Sequence, residues 1–328
     1  MSFWPVDPRK WSRLRSLAVG RHIRRYGWPI AAVVTGAAVI ALAGTLSAHA
    51  ERSPDDRLAE RTGTGWSDSD GGWSQPATPP PTMSSSTARP VPTEAAPDRF
   101  GTLPPGAALP SGAQCATWVR ARPSAENKRM NLMANAATGH RIGADIFTDH
   151  RADTEIATRV DGAFTGSTKD ILRWAACKWG VDEDLVFAQA AIESWWWQTV
   201  YGDYTGDPGR CAPGHELGAD GRPGECPESF GILQDRHPYQ KSAWPGVARS
   251  TAMNADLAYA IWRGCFEGYE GWLGQEERGE AYTAGDQWGC VGRWFSGRWH
   301  TADSEDYIAK VQDYLDRRIW ETRDFQQP

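Results

Sequence analysis

The most constraining feature of this chain is an apolar stretch, residues 29–50 (PIAAVVTGAAVIALAGTLSAHA), that contains no Asp, Glu, Lys or Arg. About 20 such residues in a helix span a bilayer. Seven Lys and Arg side chains and one Asp precede the stretch, which predicts that residues 1–28 are a basic cytoplasmic segment. The sequence Ala48-His49-Ala50 also fits a cleavage site, so 29–50 is interpreted as a transmembrane anchor or a signal peptide. The long basic segment favours the anchor.

Residues 51–112 contain eleven of the 22 prolines, among Ser, Thr, Gly and Asp with few large aliphatic side chains. This composition does not bury enough apolar surface to fold. We predict a disordered Pro-rich linker over 51–112 and a folded domain over 113–328. The domain is expected on the extracytoplasmic side of the cell envelope, either membrane-anchored through a single pass or secreted.

The net charge of −6 is unevenly distributed along the chain. The first 28 residues carry +6, so the remainder carries −12. Nucleic acid is recognised by basic surfaces. Because residues 29–328 are strongly acidic, no nucleic acid partner is expected.

All six cysteines follow the predicted linker, and an even number in an exported domain favours three disulfides. Of the fifteen connectivities, we predict Cys211 with Cys226, because a Gly/Pro-rich loop separates them. The other four are assigned as Cys265 with Cys290 and Cys115 with Cys177. The sequence contains no Cys-x-x-Cys or His-Glu-x-x-His spacing, so neither a metal site nor a cofactor is expected.

Periodic apolar residues and capping signals predict a mainly α-helical domain. Ser167 followed by Asp170 resembles a capping box, and it begins a helix that Gly180 ends. A second helix begins near Asp182 and carries Glu193 beside its inner stripe.

The last long helix is predicted from Ser304 to about Thr322, where apolar side chains repeat on one face. Strand-like alternation is limited to a short hairpin around Cys211 to Cys226.

Glu193 is the only acid in the run AQAAIESWWWQ, residues 188–198. Indole and aliphatic surroundings disfavour the charged form of a carboxyl group, so Glu193 is predicted to hold a proton near neutral pH. A general acid for glycoside cleavage requires this property. The competing interpretation is a solvated charge on the exposed face of the helix.

A second segment, Ser229-Phe230-Gly231-Ile232-Leu233-Gln234, follows the disulfide loop. Together with Glu193-Ser194 and the lead-in Gly180-Val181-Asp182, it resembles the soluble lytic transglycosylase family of the lysozyme-like superfamily. Members carry Glu-Ser at the end of a helix and then a Gly-Leu-Met-Gln element. The resemblance covers about residues 167–315, and it implies a lysozyme-like fold.

The sequence departs from the family pattern at two places. The family's Ala-Tyr-Asn element is matched by Trp294-Phe295-Ser296, with Phe for Tyr and Ser for Asn. The loop 203–228 is long and acidic, and it offers a second carboxylate, Asp203 or Asp207 first, which the family commonly lacks.

The resemblance implies a peptidoglycan lytic transglycosylase that cleaves the bond between N-acetylmuramic acid and N-acetylglucosamine. Glu193 would protonate the leaving oxygen and then take the proton of the sugar's 6-hydroxyl, leaving a 1,6-anhydro end without metal or cofactor. The expected partner is the peptidoglycan glycan strand. The expected substrate-binding residues are Ser194, Ser229, Phe230, Gly231, Gln234, Trp294, Phe295 and Ser296. The alternatives are a hydrolytic muramidase, an inactive peptidoglycan-binding module and, more weakly, a structural envelope protein.

Thirteen of the 18 tryptophans lie in the predicted domain, and indole faces pack well on sugar rings. Trp174 and Trp179 lie on an amphipathic helix and are predicted to be core residues. One or two of residues 195–197 are expected in the core, because successive helical positions diverge by about 100°. Trp294 and Trp299 are the groove candidates.

Overall fold

The computed structural model describes residues 96–143 and 147–326. The predicted basic segment 1–28, the membrane or signal segment 29–50 and most of the linker lie outside these residues. Within the described ranges, no helix is both long and apolar enough to cross a bilayer.

The N-terminal arm, residues 96–111, packs on the folded domain. Phe100 is buried, and the amide of Leu103 donates to the carbonyl of Gly180 at 3.0 Å. The buried Arg263 guanidinium donates to the carbonyls of Leu103 and Pro104, each at 2.8 Å. The predicted boundary at 112 is therefore too late. Proline carbonyls remain hydrogen-bond acceptors, so a Pro-rich segment still packs where a buried donor needs them.

The described chain is mainly helical. Its α-helices are α1 (Gly112–Arg120), α2 (Leu132–Ala136), α3 (His150–Glu155), α4 (Thr168–Trp179), α5 (Glu183–Ser194), α6 (Gly246–Arg249), α7 (Thr251–Phe266), α8 (Gln287–Ser296), α9 (Ala302–Asp316) and α10 (Arg323–Gln326). Short 3-10 turns connect several of them. All 16 residues of α7 are buried, which makes it the central helix; α4 packs against it, and α5 packs against α9.

Both ends of α4 and the first turn of α5 confirm the predicted capping signals. The Ser167 hydroxyl accepts from the amide of Asp170 at 3.1 Å. Gly180 ends α4 with a φ of 58°, a left-handed conformation that glycine adopts at little cost. The Asp182 carboxylate then accepts from the amide of Asp184 at 2.9 Å and begins α5. Trp174 and Trp179 of α4 are fully buried, as predicted.

Three antiparallel strands, in the order β1 (Tyr201–Thr205), β2 (Cys226–Phe230) and β3 (Asp235–Arg236), form a small sheet. Tyr201 pairs with Phe230, and Thr205 pairs with Cys226. The predicted hairpin therefore exists, but its first arm lies upstream of Cys211, which belongs to the connecting loop.

The last long helix, α9, ends at Asp316 rather than near Thr322. Arg318 takes a left-handed φ of 44° beyond this end. Its guanidinium bridges Asp184 and Glu321, each at 2.8 Å. These ion pairs stabilise a turn that the apolar periodicity does not reveal.

All three predicted disulfides are confirmed: Cys115 with Cys177, Cys211 with Cys226, and Cys265 with Cys290. No cysteine is left free. We therefore expect thiol alkylation of the denatured protein to label no cysteine without reductant and all six after reduction, as counted by mass spectrometry. Labelling of Cys211 and Cys226 before reduction would contradict the pairing that closes the acidic loop.

Candidate active site

Glu193 lies in the last turn of α5, and its residue surface is 8% exposed. The helix ends directly after it, because Trp195 and Trp196 take left-handed φ values of 59° and 64°. Such values are strained for bulky side chains and need support from packing. Trp196 is buried, and its indole N–H donates to the carbonyl of Phe187 at 3.0 Å.

The three consecutive tryptophans therefore do not continue the helix. The expectation that they diverge by helical increments is wrong, since the helix ends at Ser194. Trp196 belongs to the core as expected, whereas Trp195 and Trp197 are half-buried.

Tyr307 holds the Glu193 carboxyl group from the neighbouring helix α9. Its hydroxyl donates to Oε1 of Glu193 at 2.5 Å. Burial, the charge of Glu193 and this hydrogen bond keep the pKa of Tyr307 well above its usual value, so the phenol remains a donor. The ring of Phe295 stacks on Tyr307 with centroids 4.8 Å apart and with 45% of Phe295 exposed.

Two further ionisable groups face Glu193 from other elements. Asp235, the first residue of β3, is 0% exposed; burial and the charge of Glu193 raise the pKa of its carboxyl well above the usual value. Tyr259 of α7 is buried, and burial and the charge of Glu193 raise the pKa of its phenol. Its hydroxyl lies 3.3 Å from Oε1 of Gln189. Residues from α5, α7, α9 and β3 thus form one buried polar cluster.

The Gly231 to Gln234 turn places Asp235 in this cluster. Gly231 has a φ of 80°, and a Cβ there would lie 2.4 Å from Nδ2 of Asn254, so this position requires glycine. The Asn254 side chain donates to the carbonyl of Phe230 and accepts from the amide of Leu233, both at 2.8 Å. Because these partners are backbone atoms, Asn254 fixes the turn.

Five predicted substrate-binding residues lie in the interior rather than on an accessible surface: Ser194, Ser229, Phe230, Gly231 and Gln234. The Ser194 hydroxyl donates to the carbonyl of Ile232 at 2.8 Å, and that of Ser229 donates to the Asp203 carboxylate. The Gln234 amide donates to the carbonyl of Gly231 at 2.8 Å. The polar side-chain atoms of Ser194 and Gln234 thus stabilise the backbone of the site.

The remaining predicted binding residues lie on α8. Phe295 is exposed, whereas Trp294 is half-buried and donates through its indole N–H to the carbonyl of Leu233 at 3.1 Å. The Ser296 hydroxyl lies 2.8 Å from that of Ser304 and joins α8 to α9. Trp299, a predicted groove residue, is buried, because its ring fills the space beside Gly289.

Two acids of the acidic loop, Glu228 and Asp203, are bound by other side chains of the protein. Burial alone would raise the pKa of Glu228, but hydrogen bonds from Arg210 and Arg236 lower it below its usual value. Asp203 accepts from Ser229 and lies 3.7 Å from Arg236. The acid whose pKa the charge of Glu193 raises is Asp235, which directly follows Gln234 and was not predicted as a site residue from the sequence.

The part of the chain that the structure describes contains no group of three or more His, Cys, Asp or Glu side chains arranged to hold a metal ion. No protein-family model matches the sequence, and comparisons with curated proteins and with solved structures find no match.

Proposed function

We propose that this protein is a peptidoglycan lytic transglycosylase with Glu193 as its catalytic acid and base. The observation that carries the proposal is the Glu193 carboxyl group, largely buried at the end of α5 and bound by the Tyr307 hydroxyl. A general acid needs a fixed orientation and an environment that permits it to hold a proton. The three disulfides support export to an oxidising compartment, where peptidoglycan lies.

In the proposed reaction, Glu193 donates its proton to the oxygen between N-acetylmuramic acid and N-acetylglucosamine, and the bond from that oxygen to the muramoyl C1 breaks. The N-acetyl group of the muramoyl sugar stabilises the positive centre. Glu193, now a carboxylate, takes the proton of the 6-hydroxyl, whose oxygen bonds to C1 and closes the 1,6-anhydro ring. The exposed face of Phe295, beside Tyr307, offers a surface on which a sugar ring packs.

Tyr307→Phe tests the orientation of the acid, because it removes the hydroxyl and keeps the ring stacked on Phe295. Hydrogen bonds to charged groups are worth about 1.5–3 kcal/mol, so we expect kcat/KM on peptidoglycan to fall about 10- to 100-fold. Tyr314→Phe, on the same helix, is the matched control and should leave the rate unchanged. Equal rates for the two variants would show that the Tyr307 hydroxyl does not orient Glu193.

A hydrolytic muramidase is the second candidate, and Asp235 is the observation that favours it. Glycosidases that add water commonly use two carboxyl groups, and Asp235 is a second buried carboxyl group, whose pKa is raised by burial and by the charge of Glu193. Its complete burial weighs against direct contact with substrate or water in this conformation.

Mass spectrometry of peptidoglycan incubated with the purified protein separates the candidates. A transglycosylase releases muropeptides with 1,6-anhydro ends, whereas a hydrolase releases reducing ends. Sedimentation with peptidoglycan without release of either product would identify a binding module and refute the enzymatic proposal.

A further inference from the structure

Asp235 departs from the rule that a buried carboxyl group has a hydrogen-bond donor or a cation as partner. It is completely buried, and neither side-chain oxygen has a hydrogen-bond partner in the structure. Other buried acids of the described chain are paired, as Asp256 is with Lys178 and Glu270 is with Arg293. Such an exception calls for a functional explanation.

The groups that face Asp235 and Glu193 come from every element of the cluster. They are the phenols of Tyr307 on α9 and Tyr259 on α7, and the two carboxyl groups themselves. Glu193 accepts a hydrogen bond from Tyr307, whereas Asp235 accepts none. The negative charge of Glu193 acts on Asp235, and by reciprocity a charge on Asp235 acts on Glu193.

We propose that Asp235 is a positioning residue that shares one proton with Glu193 at neutral pH, so that Glu193 remains able to act as an acid at higher pH. The catalytic part of this statement rests on the proposed function. The pairing rests on the complete burial of Asp235, on its two side-chain oxygens without a hydrogen-bond partner, and on the Ser194 hydroxyl next to Glu193, which donates to the carbonyl of Ile232 in the turn before Asp235 at 2.8 Å. Two neighbouring carboxyl groups in a desolvated site do not readily ionise together, so they titrate as a pair.

The shared proton has consequences for both halves of the proposed reaction. When the proton lies on Glu193, the charge of Asp235 opposes its loss to solvent and favours the positive centre that forms on the sugar. After Glu193 has donated the proton, two negative charges face each other. This repulsion makes Glu193 a stronger base for the proton of the 6-hydroxyl.

Infrared titration of carboxyl groups in the full-length protein tests the pair without any assay of activity. The pair loses its last proton at some midpoint pH in the wild type. We expect this midpoint to lie about one unit or more above the midpoint of the single remaining carboxyl group in Asp235→Asn or Glu193→Gln. Asp207→Asn, an exposed acid of the loop, is the matched control and should leave that titration unchanged. Equal midpoints in the wild type and Glu193→Gln would overturn the proposal, and this comparison holds even if Asp235→Asn does not fold.

The pH dependence of kcat/KM on peptidoglycan tests the catalytic consequence. In Asp235→Asn, we expect the alkaline limb to shift to lower pH by about one unit, with near wild-type rates on the acid side. Superimposable profiles, or a folded variant inactive at every pH, would overturn the positioning role. A coupled infrared titration in a protein that releases no product would refute the proposed function and leave the proton-sharing pair intact.

Discussion

Glu193→Gln is expected to lower the rate of anhydro-muropeptide release by about 10²–10⁴, the usual contribution of general acid catalysis. The amide retains the shape of the side chain and still accepts the hydrogen bond from Tyr307, but it has no proton to donate to the glycosidic oxygen. Binding should persist, because the exposed face of Phe295 is unchanged. The measurements are product release at equal protein concentration and sedimentation with peptidoglycan.

Glu216→Gln provides the matched control for this substitution, since Glu216 is an exposed acid of the disulfide loop. It should release product at the wild-type rate. Circular dichroism of both variants establishes that they are folded. A folded Glu193→Gln protein that retains most of the wild-type rate would show that Glu193 is not the acid.

Asp256→Ala is expected to reduce the free energy of unfolding by about 3 kcal/mol, the lower end of the usual cost of removing one member of a buried ion pair, because Lys178 keeps a second, partly exposed partner in Asp161 at 2.8 Å. Asp256 lies on the central helix α7 and is 0% exposed. Its carboxylate contacts Nζ of Lys178 at 2.7 Å and accepts from the indole N–H of Trp179 at 2.8 Å. It also accepts from the amide of Gly162 at 2.8 Å. The substitution therefore removes the acceptor of the Trp179 and Gly162 N–H groups and one of the carboxylate partners of Lys178.

Denaturant unfolding of the variant measures this loss. Asp313→Ala removes the exposed ion pair with Arg317 on α9 and should cost less than about 1 kcal/mol. Similar costs for the two variants would contradict the stabilising role of the buried network around Asp256.

Features that depend on neighbouring residues were predictable from the sequence. The capping interactions of Ser167 and Asp182 and the left-handed glycine at 180 involve groups within three residues of one another. The loop between Cys211 and Cys226 is short and Gly/Pro-rich, which made their pairing predictable. Local pattern also predicted that Glu193 lies on the second helix, and the structure places it in the last turn of α5.

Burial was harder to predict, because it depends on what packs against a side chain. Ser229 and Phe230 resembled substrate-binding residues, yet both lie inside the small sheet. Residues 96–111 resembled linker, yet their carbonyls are acceptors for the buried Arg263. Composition shows how few apolar side chains a segment can bury. It does not show which distant donor will bind the backbone carbonyls of that segment.

The sequence by itself determined the helical character of the domain, the disulfide between Cys211 and Cys226 and the isolated acid Glu193 among apolar neighbours, because caps, periodicity and loop composition are local properties. The tertiary structure alone decided what surrounds that acid. Tyr307 is 114 residues away along the chain, and Asp235 lies on a different element. Proton affinity and orientation depend on burial and on charges a few ångströms away, and only the packing of α5, α7, α9 and β3 brings these groups together.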